Sequence, residues 1–253
     1  MKIAIIVINK DGDVIARKIK KAFNSADIYS NTGKKQQNRC SVTQITEEFF
    51  NKEKYEGLVY IAASGIVVRS IAPFIKNKYD DPAVVCVDTS GRSAISLLSG
   101  HEGGANRLTY KVAAAIGAQP VITTGTEVHK KYIIGIGCRK GISKKNIFNA
   151  IDHIVDLGQS SLEDVRLVAS VDIKINEKGL VDACDELALP LVFINKEKIK
   201  RFKGEIVGSQ AAKRHFGIVG VCEPCALIAG RRTTLILQKQ VINGVTVALA
   251  KEN

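Results

Sequence analysis

The 253-residue chain has no tryptophan, only 6% aromatic residues and four histidines. So few rings give a poor stacking platform for bases or sugars. Imidazole chemistry is confined to His101, His129, His153 and His215, of which 129 and 153 read as surface positions on a linker and a helix. Long apolar runs are also missing, so no segment approaches a membrane span. The six-residue run inside MKIAIIVINK is too short for a signal h-region and lacks a cleavage site. These absences predict a cytoplasmic protein with no membrane partner. The P-loop pattern GxxxxGK[ST], the GxSxG elbow and the HExxH zinc motif are absent too.

What is present is charge, glycine and aliphatic residues. The chain carries 37 basic and 25 acidic residues, a net +12. Splitting it at residue 130 gives 18 basic and 12 acidic residues before, 19 and 13 after, so each part carries +6. Nucleic-acid arms concentrate charge in one tail or stripe; none does so here, and no nucleic-acid partner is expected. The even spread suits either attraction of a polyanionic ligand or a plain lysine-rich solvated surface. Six cysteines, at 40, 86, 138, 184, 222 and 225, lie mostly in or beside apolar runs. That placement fits reduced, buried thiols better than a disulfide framework.

Apolar runs alternate with helical patterns along the whole chain, which predicts an α/β protein with largely parallel sheets. Strands are expected at 2–9, 57–63, 82–88 and 119–123. Helices are expected at 14–23, 43–50 and 66–75, and from the glycine-rich run to 115, with a polar loop at 31–38. A second series has strands at 132–137, 165–170 and 189–194, and helices from Ser143 to 156 and over 176–187, with short ones before Phe202 and near Pro224. Asn243-Gly244 between the runs 233–241 and 245–250 predicts a C-terminal β-hairpin with a type I′ turn. The polar stretch 127–131 sets the expected boundary, giving α/β modules at 1–130 and 131–253.

Ligands of parallel α/β sheets bind where strands run into helices. Four loops have a suitable composition: Ser64-Gly65 with Arg69; Asp88-Thr89-Ser90-Gly91-Arg92; SGHEGGAN from Ser99 to Asn106; and GIGCRKG from Gly135 to Gly141. The third is the richest. Gly100, Gly103 and Gly104 permit close backbone approach, and the helix that follows offers amides to an anion. An ordinary imidazole can exchange a proton near neutral pH, which makes His101 a candidate acid or base, and Glu102 could orient it. A tight turn with a solvated His-Glu pair explains the same residues equally well. In the fourth loop Lys140 occupies the third glycine position of a dinucleotide fingerprint, so that motif fails. Arg139 and Lys140 could still grip a carboxylate, or form an exposed basic turn. Cys222-Glu223-Pro224-Cys225 has redox or zinc spacing, but no second pair completes a metal site.

Taken in order, these segments resemble the CbiG family of cobalamin-biosynthesis proteins, the cobalt-precorrin-5A hydrolases. The resemblance rests on AASGIVVRSIAPFI, on DPAVVCVDTSGRSAISLLSGHEGGANRLTYKVAAAIGAQPVITTGTE, and on GIGCRKGIS. It continues through VASVDIKINEKGLVDACDELALPLVFI and GIVGVCEP, covering most of residues 57–250. Family members often carry a further segment between the modules, whereas here Thr126 passes almost directly to Tyr132. Position 225 is commonly Ala in the family, which argues against redox use of Cys225.

The resemblance implies opening of the ring A δ-lactone of a cobalt-bearing tetrapyrrole, with release of acetaldehyde and formation of cobalt-precorrin-5B. The substrate is a polyanion, and its cobalt arrives with it; no cofactor or metal of the protein's own is implied. On this basis His101 is the expected general base or acid, with Glu102 or Glu223 as its partner. The Gly103 and Gly104 amides would hold an oxyanion or carboxylate. Ser64, Gly65, Arg69, Ser90, Arg92, Ser99, Gly100, Asn106, Arg139 and Lys140 complete the expected substrate contacts, with the ligand between the modules. A carrier of the same intermediate that performs no hydrolysis is the rival reading. A homodimer and contact with other enzymes of the pathway are both left open.

Overall fold

Strand residues of the first sheet alternate between two separate cores, the period-two signature of a sheet covered on both faces. In the computed structural model, which describes residues 1–30, 42–51, 55–208, 212–214 and 217–253, the chain divides into two units, Met1–Thr124 and Gly125–Asn253. The expected loop at 31–38, Cys40 and His215 lie outside the described residues.

The first unit runs β1 (Ile3–Val7), α1 (Gly12–Ala22), β2 (Ala26–Ser30), α2 (Val42–Asn51), β3 (Gly57–Ile61), α3 (Ser64–Ile71), β4 (Ala83–Val87), β5 (Ser93–Leu98), α4 (Ala105–Ile116) and β6 (Gln119–Val121). One core joins Ile3, Ile5, Val7, Val59 and Val85 to Ile15 and Ile19 of α1 and to Leu108 and Val112 of α4. The other joins Ala4, Ile6, Tyr60 and Cys86 to Phe49 of α2 and to Val67 and Ile71 of α3. The strand order is β2-β1-β3-β4-β5-β6. β2, β1, β3 and β4 are mutually parallel.

β5 was not expected as a strand, and it reverses the sheet. It pairs antiparallel to β4, with Val87 opposite Ala94 and Val84 opposite Leu98. Its SAISLL sequence mixes Ser with apolar residues and buries only Ala94 fully, so no clean alternation marks it. β6 follows parallel to β5. The turn after β4 is tied by Asp88, whose carboxylate accepts from the Ser90, Arg92 and Ser93 amides. That makes it the turn of a β-hairpin instead of the approach to a helix.

Smaller differences are local. α3 begins at Ser64, two residues earlier than expected, and gives way to a 3-10 turn at Ala72–Phe74 that contains Pro73, where proline ends an α-helix. β6 stops at Val121.

The second unit contains α5 (Gly125–Val128), β7 (Tyr132–Cys138), α6 (Lys144–Leu157), β8 (Val165–Val171), α7 (Lys178–Glu186), β9 (Leu191–Ile194), α8 (Lys196–Lys200), α9 (Cys222–Ala229), β10 (Thr233–Ile242) and β11 (Val245–Glu252). Its sheet order is β10-β11-β7-β8-β9, with β7, β8 and β9 parallel and the hairpin antiparallel. The expected caps and turns are in place. Ser143 accepts from the Asn146 amide at the start of α6. Asn243 and Gly244 have φ of 48° and 83°, the two positive values a type I′ turn demands.

Candidate active site

The reversal at β5 separates the expected residues of the first unit into two groups. Val7, Ile61 and Val87 end β1, β3 and β4 at one edge of the sheet. Ser64, Gly65, Arg69, Ser90 and Arg92 follow those strand ends. Leu98 ends β5 opposite Val84, near the start of β4, so residues 99–106 lie at the opposite edge. Five residues of strand, at roughly 3.3 Å each, stand between the two groups.

At the first edge a crevice of about 340 Å³ opens over the strand ends. Ile8 and Asn9 after β1, Ala62 and Ala63 after β3, Ile66 of α3, and Asp88, Thr89 and Arg92 of the hairpin turn line it. In the order β2-β1-β3 the chain leaves β1 to one side and returns on the other, so the crevice stands at the switch point of the sheet. Ser64 and Gly65 form the first turn of α3, and Arg69 donates to the Gly65 carbonyl at 3.1 Å. The Arg92 side chain is 82% exposed, with Nε 3.7 Å from Asp88 Oδ1. Partial burial pushes the Asp88 pKa up. The Ser93, Ser90 and Arg92 amides and the Arg92 charge outweigh that and hold the carboxyl below its ordinary value. Asp88 is therefore a fixed anion of the turn and a poor proton donor.

At the second edge the glycines serve the loop itself. A Cβ on Gly100 would meet Thr124 Cγ2 at 2.7 Å and Asn106 Oδ1 at 2.9 Å; one on Gly103 would meet Ser99 Cβ at 2.5 Å. Gly104, with φ of 83°, is the left-handed entry to α4. The first amides of that helix are already occupied, Ala105 by the Ser99 carbonyl and Asn106 by that of Gly100. Asn106 is 8% exposed. Its side chain accepts from Ser96 Oγ and donates to Thr124 Oγ1, each at 2.8 Å, so it ties β5, α4 and the end of the unit together.

Ser99 is also buried, in a left-handed conformation, with Oγ unpartnered among the described residues. His101 is exposed and makes no hydrogen bond or ion pair with the described residues. Glu102 pairs with Lys78 at 3.6 Å, not with His101.

In the second unit Gly135 and Gly137 are buried strand residues, not parts of a loop. A Cβ on Gly135 would fall onto the Cys222 carbonyl, and one on Gly137 would meet Thr246 Oγ1 at 2.6 Å. They admit α9 to the sheet. Arg139 and Lys140 are exposed just beyond β7, and the Arg139 amide donates to the Gly244 carbonyl at 3.4 Å.

Glu223 is 1% exposed and accepts from the Lys239 amide at 3.1 Å. It holds β10 to α9. Cys222 and Cys225 are free, buried thiols. Burial pushes Cys222 up to about 11 and Cys225 well above its ordinary value, the opposite of a redox thiolate. No group of three or more metal-ligating side chains occurs among the described residues, and no helix there is long and apolar enough to cross a membrane.

Sequence reasoning missed Ile8, Asn9, Ala62, Ala63 and Ile66 as crevice residues. The ends of the predicted strands at 9 and 63 pointed to them, but only the strand order places those ends side by side. It also missed the ion pair of Lys174 and Glu177, 3.3 Å apart with both side chains about nine-tenths buried. Glu177 accepts from the Gly141 amide as well, at 2.9 Å, and so fastens the turn that carries Arg139 and Lys140.

Two mixed α/β units, each with ligand-accessible loops beyond its parallel strands, define the class. Residues 44–127 match the family described as cobalamin synthesis G N-terminal, and residues 132–250 match cobalamin synthesis G C-terminus. The chain belongs to the CbiG family, whose role is in cobalamin biosynthesis. Cobalt-precorrin-5A hydrolase of Priestia megaterium is 25% identical over 354 aligned positions, covering 98% of this chain and 94% of the relative. The enzyme of that name from Salmonella typhimurium is 54% identical over 76 residues, 30% of this chain and 22% of the relative. The solved structure of CobE, a protein from the cobalamin biosynthetic pathway, has a TM-score of 0.45 at 27% identity, covering 48% of this chain and 90% of that one.

Proposed function

We propose that this protein is a cobalt-precorrin-5A hydrolase of the cytoplasm. The observation that carries the reading is the match of both family halves, in order and separated by only four residues, together with a hydrolase relative aligned over 98% of the chain. The reaction adds water to the lactone carbonyl, breaks the ring C–O bond, and passes a proton to the leaving oxygen. Opening leaves the two-carbon unit on the macrocycle as a carbinol. Its hydroxyl gives up a proton, the carbon–carbon bond to the ring breaks with its electron pair passing into the macrocycle, which takes up a proton, and acetaldehyde departs.

His101 would move the proton; in support, it is an exposed imidazole on a loop closely packed at Gly100 and Gly103. A positioned imidazole supplies roughly 10²- to 10⁴-fold in such a step. Arg139 and Lys140 are free to meet peripheral carboxylates of the polyanionic substrate, whose cobalt is cargo and not a resident cofactor. The test is incubation with cobalt-precorrin-5A, measuring acetaldehyde and the mass change of water gained and acetaldehyde lost. His101→Ala is expected to lose at least about 100-fold in kcat; near-full activity removes His101 from the mechanism.

A second reading is a protein that binds the same intermediate without opening it. It draws support from the absence of any described partner orienting His101. Recovery of bound substrate with its mass unchanged would favour it.

A further inference from the structure

The crevice over β1, β3 and β4 is lined by residues that move no proton. Its lining is apolar at Ile8, Ala62, Ala63 and Ile66, and among its described lining residues the cation is Arg92, beside the turn-fixing Asp88. Asp88 is held ionised by three backbone amides, so it neither donates a proton nor needs Arg92 as its sole partner. An apolar lining with an exposed guanidinium suits a ligand that is hydrocarbon at its edge and carboxylated at its tip. At about 340 Å³ it holds one corner of a large ring system, not the whole of one.

We propose that this crevice is a binding subsite for one carboxylate-bearing corner of a tetrapyrrole. The ring edge lies on Ile66 and Ala63, and one side-arm carboxylate lies on Arg92. The proposal rests on the hydrolase reading for the identity of the ring, and it assigns the crevice to grip, leaving proton transfer to groups elsewhere.

Uroporphyrin, an octacarboxylate, serves as the probe, titrated against the full chain by its own fluorescence. Arg92→Ala and Ile66→Asp are each expected to weaken it about tenfold, the worth of one charge-assisted contact. Lys18→Ala, an equal loss of charge on the exposed face of α1, is expected to change it less than twofold. Ile66 is 43% exposed in the first turn of α3, where an acidic residue is favourable, so the Ile66→Asp variant should fold, and its melting curve verifies this. Failure of the wild type to bind, retention of affinity by either crevice variant, or an equal loss in Lys18→Ala overturns the proposal.

Acetaldehyde release by the same proteins separates the two readings. Turnover with KM unmoved in Arg92→Ala and Ile66→Asp sinks the crevice alone. Crevice-dependent uroporphyrin binding without any turnover sinks the hydrolase alone.

Discussion

Residues 99–104 and the run from Gly135 to Gly141 look alike as sequences, each a glycine-rich passage around the end of a strand. They differ in what fills the space their glycines leave. In the first, Gly100 and Gly103 let a loop fold onto its own Ser99, Asn106 and Thr124. In the second, Gly135 admits the backbone of α9 at Cys222, and Gly137 the side chains of Val221 just before that helix and of Thr246 in β11. Glycine in a sequence records that something comes close; only the topology says whether it is a ligand, a loop or a helix.

The comparison can be broken most forcefully at Gly135. Gly135→Ala puts a methyl onto a backbone carbonyl that has no rotamer to change, and we expect a loss of about 3 kcal/mol or more, or failure of the second unit to fold. Thermal melting and proteolysis read this out, and a near-wild-type melt would show that α9 can retreat. Gly103→Ala is expected to cost somewhat less, about 1–3 kcal/mol, because its clash, with Ser99 Cβ at 2.5 Å and the Ser99 carbonyl oxygen at 3.0 Å, is less close than that at Gly135, although the loop backbone must still shift to relieve it. Asn106→Ala should fall in the same range of about 1–3 kcal/mol, since it orphans Ser96 and Thr124. If instead it left stability intact and abolished turnover, Asn106 would belong to the ligand after all.

The smallest effect is expected at the hairpin turn. The folded pKa of Asp88 is lowered from 3.8, so the unfolded chain takes up this proton first. Its stabilisation is therefore complete above that value and disappears as pH falls through the lower folded one. The melting temperatures of the wild type and Asp88→Asn should converge as pH drops below about 3.8; a gap that widens on acidification would contradict the assignment.

Much of the fold was legible because its strands are short aliphatic runs ended by turn residues. Residues 57–63, 82–88 and 132–137 announce β3, β4 and β7 in this way, and Ser143 and Asn243-Gly244 fix a cap and a turn through their own side chains and backbone. β5 was not legible. Its mixed Ser and apolar sequence carries neither period, and its direction depends on Asp88 gathering three amides into a hairpin turn, a tertiary outcome. That one missed reversal is why the expected site divided: Ser64, Arg69 and Arg92 went to one edge, and Ser99, His101 and Glu102 to the other. The burial of Glu223 was not legible for a different reason. A carboxylate at a helix start is ordinarily exposed, and its burial here follows from β10 presenting the Lys239 amide to it.

The position of β7 in its sheet bears on how the protein is made. β7 lies between β8 and β11, and the neighbour on one side is residues 245–252, more than a hundred positions later. During synthesis the first unit can close its sheet once Val121 has left the ribosome. The strand 132–138 must wait, one flank bare, until residues 245–252 have emerged. An apolar strand kept waiting in that way is the place where premature release or a stalled ribosome would lead to aggregation.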